Sequence, residues 1–133
     1  MPTGFPAVTG DIMTAAMFNG LVSYTLNSQS GATYTLAATD QYQVLVITTN
    51  ASTKTVSIPT DAAVPGISNG TAVTILNTGL GLLTINAVTP GTTTVTSAGA
   101  VSASPTVAQY KSAVCIKTGT NAWTRSEEHT SEL

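Results

Sequence analysis

Charge is scarce in this chain. Only 8% of its 133 residues are charged, four basic and six acidic. A protein that neutralises phosphates needs a basic stripe or patch, so the scarcity argues against nucleic acid as a partner. There is one cysteine and one histidine. A lone thiol closes no internal disulfide, which excludes a disulfide framework of the secreted kind. No run of ~18 apolar residues occurs and no basic-then-apolar leader opens the chain, so neither membrane insertion nor a signal peptide is expected. Hydrophobic residues nevertheless reach 42%, too many for disorder driven by charge and low hydrophobicity. The length suits one domain. With so few ionisable groups, the polar surface must come from Thr, Ser, Asn and Gln, and the abundant β-branched threonine favours strands over helices.

The few charges are unevenly placed. Glu127, Glu128 and Glu132 are the only glutamates, Arg125 the only arginine and His129 the only histidine. All fall within the last nine residues, RSEEHTSEL. That nonapeptide resembles the codon-for-codon translation of a common sequencing adapter. Residues 125–133 are therefore expected to be a non-native tail read through on a metagenomic fragment, with the natural end of the chain missing. Residues 1–124 hold Lys54, Lys111 and Lys117 against Asp11, Asp40 and Asp61, with no net charge.

The first ten residues are rich in Pro and Gly and read as an irregular lead-in. Between 11 and 24, Ile12, Ala15, Ala16, Phe18 and Val22 recur at mostly three- and four-residue spacings, as one face of a short helix requires. Residues 27–31 form a polar linker. Beyond residue 32 the texture changes to short β-type runs at roughly ten-residue spacing. Strands are expected at 33–37, 43–49, 53–58, 71–77, 82–88, 92–96, 112–118 and 122–125. Asn50-Ala51-Ser52 and Asn77-Thr78-Gly79-Leu80-Gly81 read as tight hairpin turns. The Pro- and Gly-bearing stretch 59–70 reads as a surface loop, and 97–108 as an extended connection. No strict internal repeat is visible, which argues against a solenoid. The expected fold is all-β: a small antiparallel β-sandwich or barrel-like module over 32–124, preceded by a lead-in and short N-terminal helix over 1–31.

Catalysis by paired carboxylates needs two acids held together in contrasting environments. Asp11 precedes the helix, Asp40 sits in a turn and Asp61 in a Pro-containing loop, so each reads as a cap or turn former. Cys115 lies within the apolar run Ala113-Val114-Cys115-Ile116 and reads as a packing residue. One Cys and three scattered Asp residues assemble no metal site. No catalytic, cofactor or metal residues are therefore expected, and the chain reads as non-enzymatic. Trp123, with Tyr110 upstream, reads either as a sugar-stacking platform or, for Trp123, as a core residue. The Thr-x-Thr pairs at 33/35, 53/55, 92/94 and 94/96 resemble the threonine faces of ice-binding proteins, although their spacing is irregular.

The motif order runs Tyr34-Thr35-Leu36-Ala37-Ala38-Thr39-Asp40, an apolar strand, Asn50-Ala51-Ser52, Val56-Ser57-Ile58-Pro59, Gly70-Thr71-Ala72-Val73, Asn77-Thr78-Gly79-Leu80-Gly81, Tyr110-Lys111-Ser112-Ala113-Val114-Cys115-Ile116-Lys117 and Gly119-Thr120-Asn121-Ala122-Trp123. This order resembles the small β modules of bacteriophage tail-fibre and head-fibre virion proteins, over about residues 32–124. Residues 14–22 look like the short helix that often precedes such modules. The resemblance implies a virion structural protein, often a homotrimer, that contacts other virion proteins and a host-surface glycan. Ile12, Ala16 and Phe18 are then the candidate chain-to-chain contact, or they pack on their own module. A free-standing carbohydrate-binding module and an adhesin or ice-binding β protein are the alternatives.

Overall fold

The computed structural model describes residues 23–97, 100–101 and 106–127. The expected N-terminal helix, with Ile12, Ala16 and Phe18, lies outside the described residues except for Ser23 and Tyr24, which are not helical. Among the described residues the chain forms eleven strands. The first six are β1 (Thr25–Gln29), β2 (Thr33–Thr35), β3 (Val44–Thr48), β4 (Lys54–Ile58), β5 (Ala72–Asn77) and β6 (Leu83–Ala87). The rest are β7 (Thr94–Ser97), β8 (Ala100–Val101), β9 (Thr106–Val107), β10 (Lys111–Gly119) and β11 (Ala122–Glu127). Among the described residues, helix is confined to one 3₁₀ turn at Ala38–Asp40.

The all-β class holds, but the expected antiparallel arrangement does not. From β1 to β6 the chain alternates between two sheets. Strands β1, β3 and β5 lie side by side in parallel in sheet A, and β2, β4 and β6 do the same in sheet B. Each pass through both sheets is one coil of a winding, and three coils stack. The remaining strands complete both sheets. In sheet A, β10 pairs antiparallel with β5 and β11, while β7 runs parallel to β11 and antiparallel to β8. In sheet B, β9 closes antiparallel on β6. The orders are β1-β3-β5-β10-β11-β7-β8 and β2-β4-β6-β9.

The physical reason lies in the turns. The two segments expected as hairpins each carry the chain from one sheet to the other, so they are corners. They also stack. A Cβ on Gly79 would collide with Asn50 O and Lys54 Nζ, and one on Gly81 would collide with the Ser52 backbone. These glycines serve close approach between corners, a second use of a residue without a side chain.

Alternation along each strand turns one face inward. Val46, Val73, Ile75, Ala113, Cys115, Val95 and Trp123 from sheet A meet Val56, Ile58, Leu83, Ile85 and Val107 from sheet B in one buried cluster, which Leu36 joins. Register stacks like on like: Val46, Ile75 and Ala113 lie in one row, Val56 and Ile85 in another. Each such aliphatic side chain contributes about 1.5–3 kcal/mol by leaving water. Strand β1 starts ahead of residue 32, and β11 extends past residue 124, with Arg125 buried and opposite Cys115.

Candidate interaction surfaces

Four ionisable side chains, Lys54, Lys117, Asp40 and Asp61, hold loops in place. Lys117 is buried, and its Nζ donates to Asp61 Oδ2 at 3.1 Å, Asn69 Oδ1 at 2.8 Å and Gly119 O at 2.8 Å. Asp61 Oδ2 also accepts from Asn121 N, tying the long 59–71 loop to the β10–β11 turn. Lys54 is buried at the corners, where Nζ donates to Asn50 O at 2.5 Å and Gly81 O at 2.9 Å, and burial pushes its ammonium below the ordinary lysine value. Under the first coil, Tyr34 Oη donates to Asp40 Oδ2 at 2.6 Å, and Asn27 Nδ2 donates to Asp40 Oδ1 at 2.7 Å and to Tyr34 Oη at 2.9 Å. Burial first, and then donation to Asp40, push the Tyr34 phenol up to about 12. Asp40 also accepts from Ala37 N, as a capping residue does. Among the described residues no group of three or more His, Cys, Asp or Glu is placed to hold a metal ion, and Cys115 is buried.

The aromatic pair singled out as a ligand platform is not brought together. Trp123 is 2% exposed and belongs to the core, so it presents no stacking face. Tyr110 is 73% exposed at a positive φ of 65° just before β10. Trp123 is in register with Lys117, seven positions along the chain from Tyr110, which separates the two by roughly 23 Å at the rise of a strand. The candidate chain contacts Ile12, Ala16 and Phe18 lie outside the described residues.

What the fold does assemble is two unlike faces. On the outside of sheet A, Leu26, Leu45, Thr74 and Val114 share one register row, Ile47 and Leu76 a second, and Ala72 and Ile116 a third. Leu26 is 64% exposed, and the others are partly or fully accessible. Among the described residues this face carries no charged side chain. On the outside of sheet B, Thr33, Thr55, Thr84 and Thr106 stand in one row across four strands. Thr35, Ser57 and Asn86 form the next, where Ser57 Oγ donates to Asn86 Oδ1 at 3.0 Å. Neighbouring strands carrying these rows are ~4.8 Å apart, the spacing of paired strands.

Neither face was evident from spacing along the chain. The intervals between residues 33, 55, 84 and 106 are unequal, and only parallel stacking of coils brings them into register. The usable signal was local: the threonines at 33 and 55 each begin a two-residue alternation with small polar side chains.

Comparison of the chain with protein-family models, with curated proteins and with solved structures returns no match.

Proposed function

We propose that the chain is a non-enzymatic structural module of a bacteriophage virion, of the tail-fibre or head-fibre kind, whose copies associate through the outer face of sheet A. The observation that carries the reading is that face itself: in-register rows of Leu26, Leu45, Ile47, Leu76, Val114 and Ile116 with no charge among them. Apolar rows of this kind, here interrupted by Thr74 and flanked by Ser28 and Ser112, mark interaction sites, and an uncharged face lets identical copies approach without repulsion. The motif resemblance supports the virion setting and a homotrimer, with host attachment as the accompanying role. Lys54, Lys117, Asp40 and Asp61 are engaged in holding loops, which fits a scaffold better than a proton-transfer site.

Light scattering on the full chain tests the association. A trimer is expected, and the double variant Ile47→Lys, Leu76→Lys is expected to be monomeric with an unchanged far-ultraviolet spectrum. A native chain that stays monomeric up to its solubility limit would refute the packing. Flanking tail or capsid genes on a longer contig would support the virion setting, and a setting among bacterial secretion genes would refute it.

The register of Thr33, Thr55, Thr84 and Thr106 favours a second reading, an ice-binding face, because flat rows of threonine methyl and hydroxyl groups at strand spacing suit an ordered water lattice. Thermal hysteresis that is lost in Thr55→Lys would establish it.

A further inference from the structure

The loop between β2 and β3 and the end of the loop before β5 enclose an open cleft of about 350 Å³, lined in part by Tyr42, Ser68, Asn69 and Thr71. Its walls are fixed from beneath. Gln41 is buried, and its Nε2 donates to Ala38 O at 3.0 Å and Gly66 O at 2.7 Å. Its Oε1 accepts from Ser68 N at 3.0 Å and Thr71 Oγ1 at 3.1 Å. One amide thus clamps both loops, and Lys117 adds a second anchor through Asn69 Oδ1.

On this fixed base the backbone takes an unfavourable course. Tyr42 and Gln43 both lie in the left-handed region, at φ of 63° and 65°. For residues other than Gly, Asn or Asp that conformation is uncommon, and two in succession persist only where the surroundings impose them. The result is a tyrosine ring held out into solvent at 81% exposure beside the cleft, on a chain whose aromatics are few. The polar groups next to it are neutral. Asn69 commits its Oδ1 to Lys117, which leaves Nδ2 to donate. Thr71 Oγ1 donates to Gln41, which leaves its lone pairs to accept. Ser68 adds a hydroxyl, and among the described residues no charged side chain lines the cleft.

We propose that this cleft binds a neutral saccharide. A pyranose presents an apolar C–H face and a rim of hydroxyls. The first stacks on an exposed tyrosine ring, and the second matches a set of one amide donor and two hydroxyls. A phosphate or an acidic sugar would need a cation, and Lys117 has its charge engaged by Asp61 at 3.1 Å. An apolar peptide would need an apolar lining, which Ser68, Asn69 and Thr71 do not supply. The site names the ligand class for the attachment role proposed above and rests on that reading for its biological meaning. Its geometry lies within one chain and does not depend on association.

The test is a titration of the full chain, followed by amide chemical shifts, with glucose, galactose, mannose, N-acetylglucosamine, N-acetylgalactosamine and their common disaccharides, up to tens of millimolar. Sialic acid and glucose 6-phosphate form the charged arm. At least one neutral sugar is expected to shift amides within 41–43 and 68–72. Tyr42→Ala should weaken that sugar about tenfold or more and Tyr42→Phe no more than a few-fold, since the ring supplies the stacking. Ser68→Ala, which keeps the backbone bond to Gln41, should weaken it several-fold. The assignment is overturned if no neutral sugar shifts these amides, if the shifts fall on sheet B instead, if the charged arm binds more tightly, or if affinity survives both Tyr42→Ala and Ser68→Ala. A trimer that binds no neutral sugar removes this site alone. A monomer that binds one removes only the association.

Discussion

Removing one hydroxyl, in Tyr34→Phe, probes how the first coil is held. Tyr34 Oη donates to Asp40 Oδ2 at 2.6 Å, a short bond to a buried carboxylate. Hydrogen bonds to charged groups contribute roughly 1.5–3 kcal/mol, and the half-buried ring places this one toward the lower end. A loss of about 1–2 kcal/mol at neutral pH is expected, because Asp40 keeps Asn27 Nδ2 and Ala37 N as donors. The pH dependence supplies an independent check. Tyr34 is raised from 10.0 to about 12 in the folded protein, by burial first and by donation to Asp40 second. Below pH 10 the phenol is protonated in both states and its contribution is complete. Between 10 and 12 the unfolded chain releases the proton first, so the contribution declines and is lost as pH passes the folded value. A rise of two units sets an upper bound of about 2.7 kcal/mol, which exposure to solvent reduces to roughly half. Lys54 acts in the opposite sense, since its lowered ammonium makes the fold gain stability as pH approaches the ordinary lysine value. It is common to both proteins and cancels in their difference. Urea unfolding of the two proteins at pH 7, 9, 11 and 12 measures that difference directly. A gap that is absent at pH 7, or that does not shrink between pH 10 and 12, would refute the reasoning.

Gly79→Ala should cost about 2–3 kcal/mol, the upper range for overpacking, because the new Cβ meets Asn50 O, a backbone atom that the stacked corner holds in place; the urea midpoint reads it, and a change within about 0.5 kcal/mol, the ordinary scatter of surface substitutions, would refute the close approach. Lys117→Met should destabilise by about 2–4 kcal/mol and release the 59–71 loop, since Nζ serves Asp61, Asn69 and Gly119 together; hydrogen exchange confined to that loop is the expected signature, and unaltered exchange there would count against the role. Arg125 is 1% exposed opposite Cys115 and its Nη1 donates to Ile85 O at 3.4 Å, so Arg125→Leu, which leaves that buried carbonyl without this donor, should cost about 1–3 kcal/mol; an unchanged or higher melting temperature would refute this.

Much of the strand content was legible along the chain because alternation survives locally. Val56 and Ile58 inward with Thr55 and Ser57 outward, and Val73 and Ile75 inward with Thr74 outward, follow the pleat, and both strands form. Three strands were not legible, for different reasons. β1, with the sequence TLNSQ, carries polar residues on both faces; its inward Asn27 is satisfied by Tyr34 and Asp40 rather than by an apolar core, so nothing marked it as buried. β8 and β9 have two residues each, too short for any period to show. Pairing direction was hidden more deeply. A corner between sheets and a hairpin within one use the same Asn and Gly residues, and only the destination of the following strand tells them apart. The candidate site suffered from the same limit. Tyr42 and residues 68–71 are separated by a coil of chain, and nothing in their spacing joins them until Gln41 bridges the loops.

The winding also explains why the cleft sits where it does. Passages from sheet A to sheet B use residues 30–32, 49–53 and 78–82, all short, and the last two stack through Gly79, Gly81 and the Lys54 ammonium. Passages back use residues 36–43, 59–71 and 88–93, which differ widely in length. A stacked corner tolerates no insertion, because each added atom would press on the coil next to it. The return side has no such constraint, and insertions between coils are absorbed there without disturbing register in either sheet. That freedom has two consequences. It erases the fixed period that would have announced coils in the sequence, and it collects irregular loops on one side of a rigid scaffold, the arrangement in which binding groups are most often carried. Tyr42 and Asn69 both come from return passages, and the side chains that immobilise them, Gln41 and Lys117, connect those passages to each other and to β10. The return side is therefore where this fold can vary its loops most freely, and the cleft beside Tyr42 lies there.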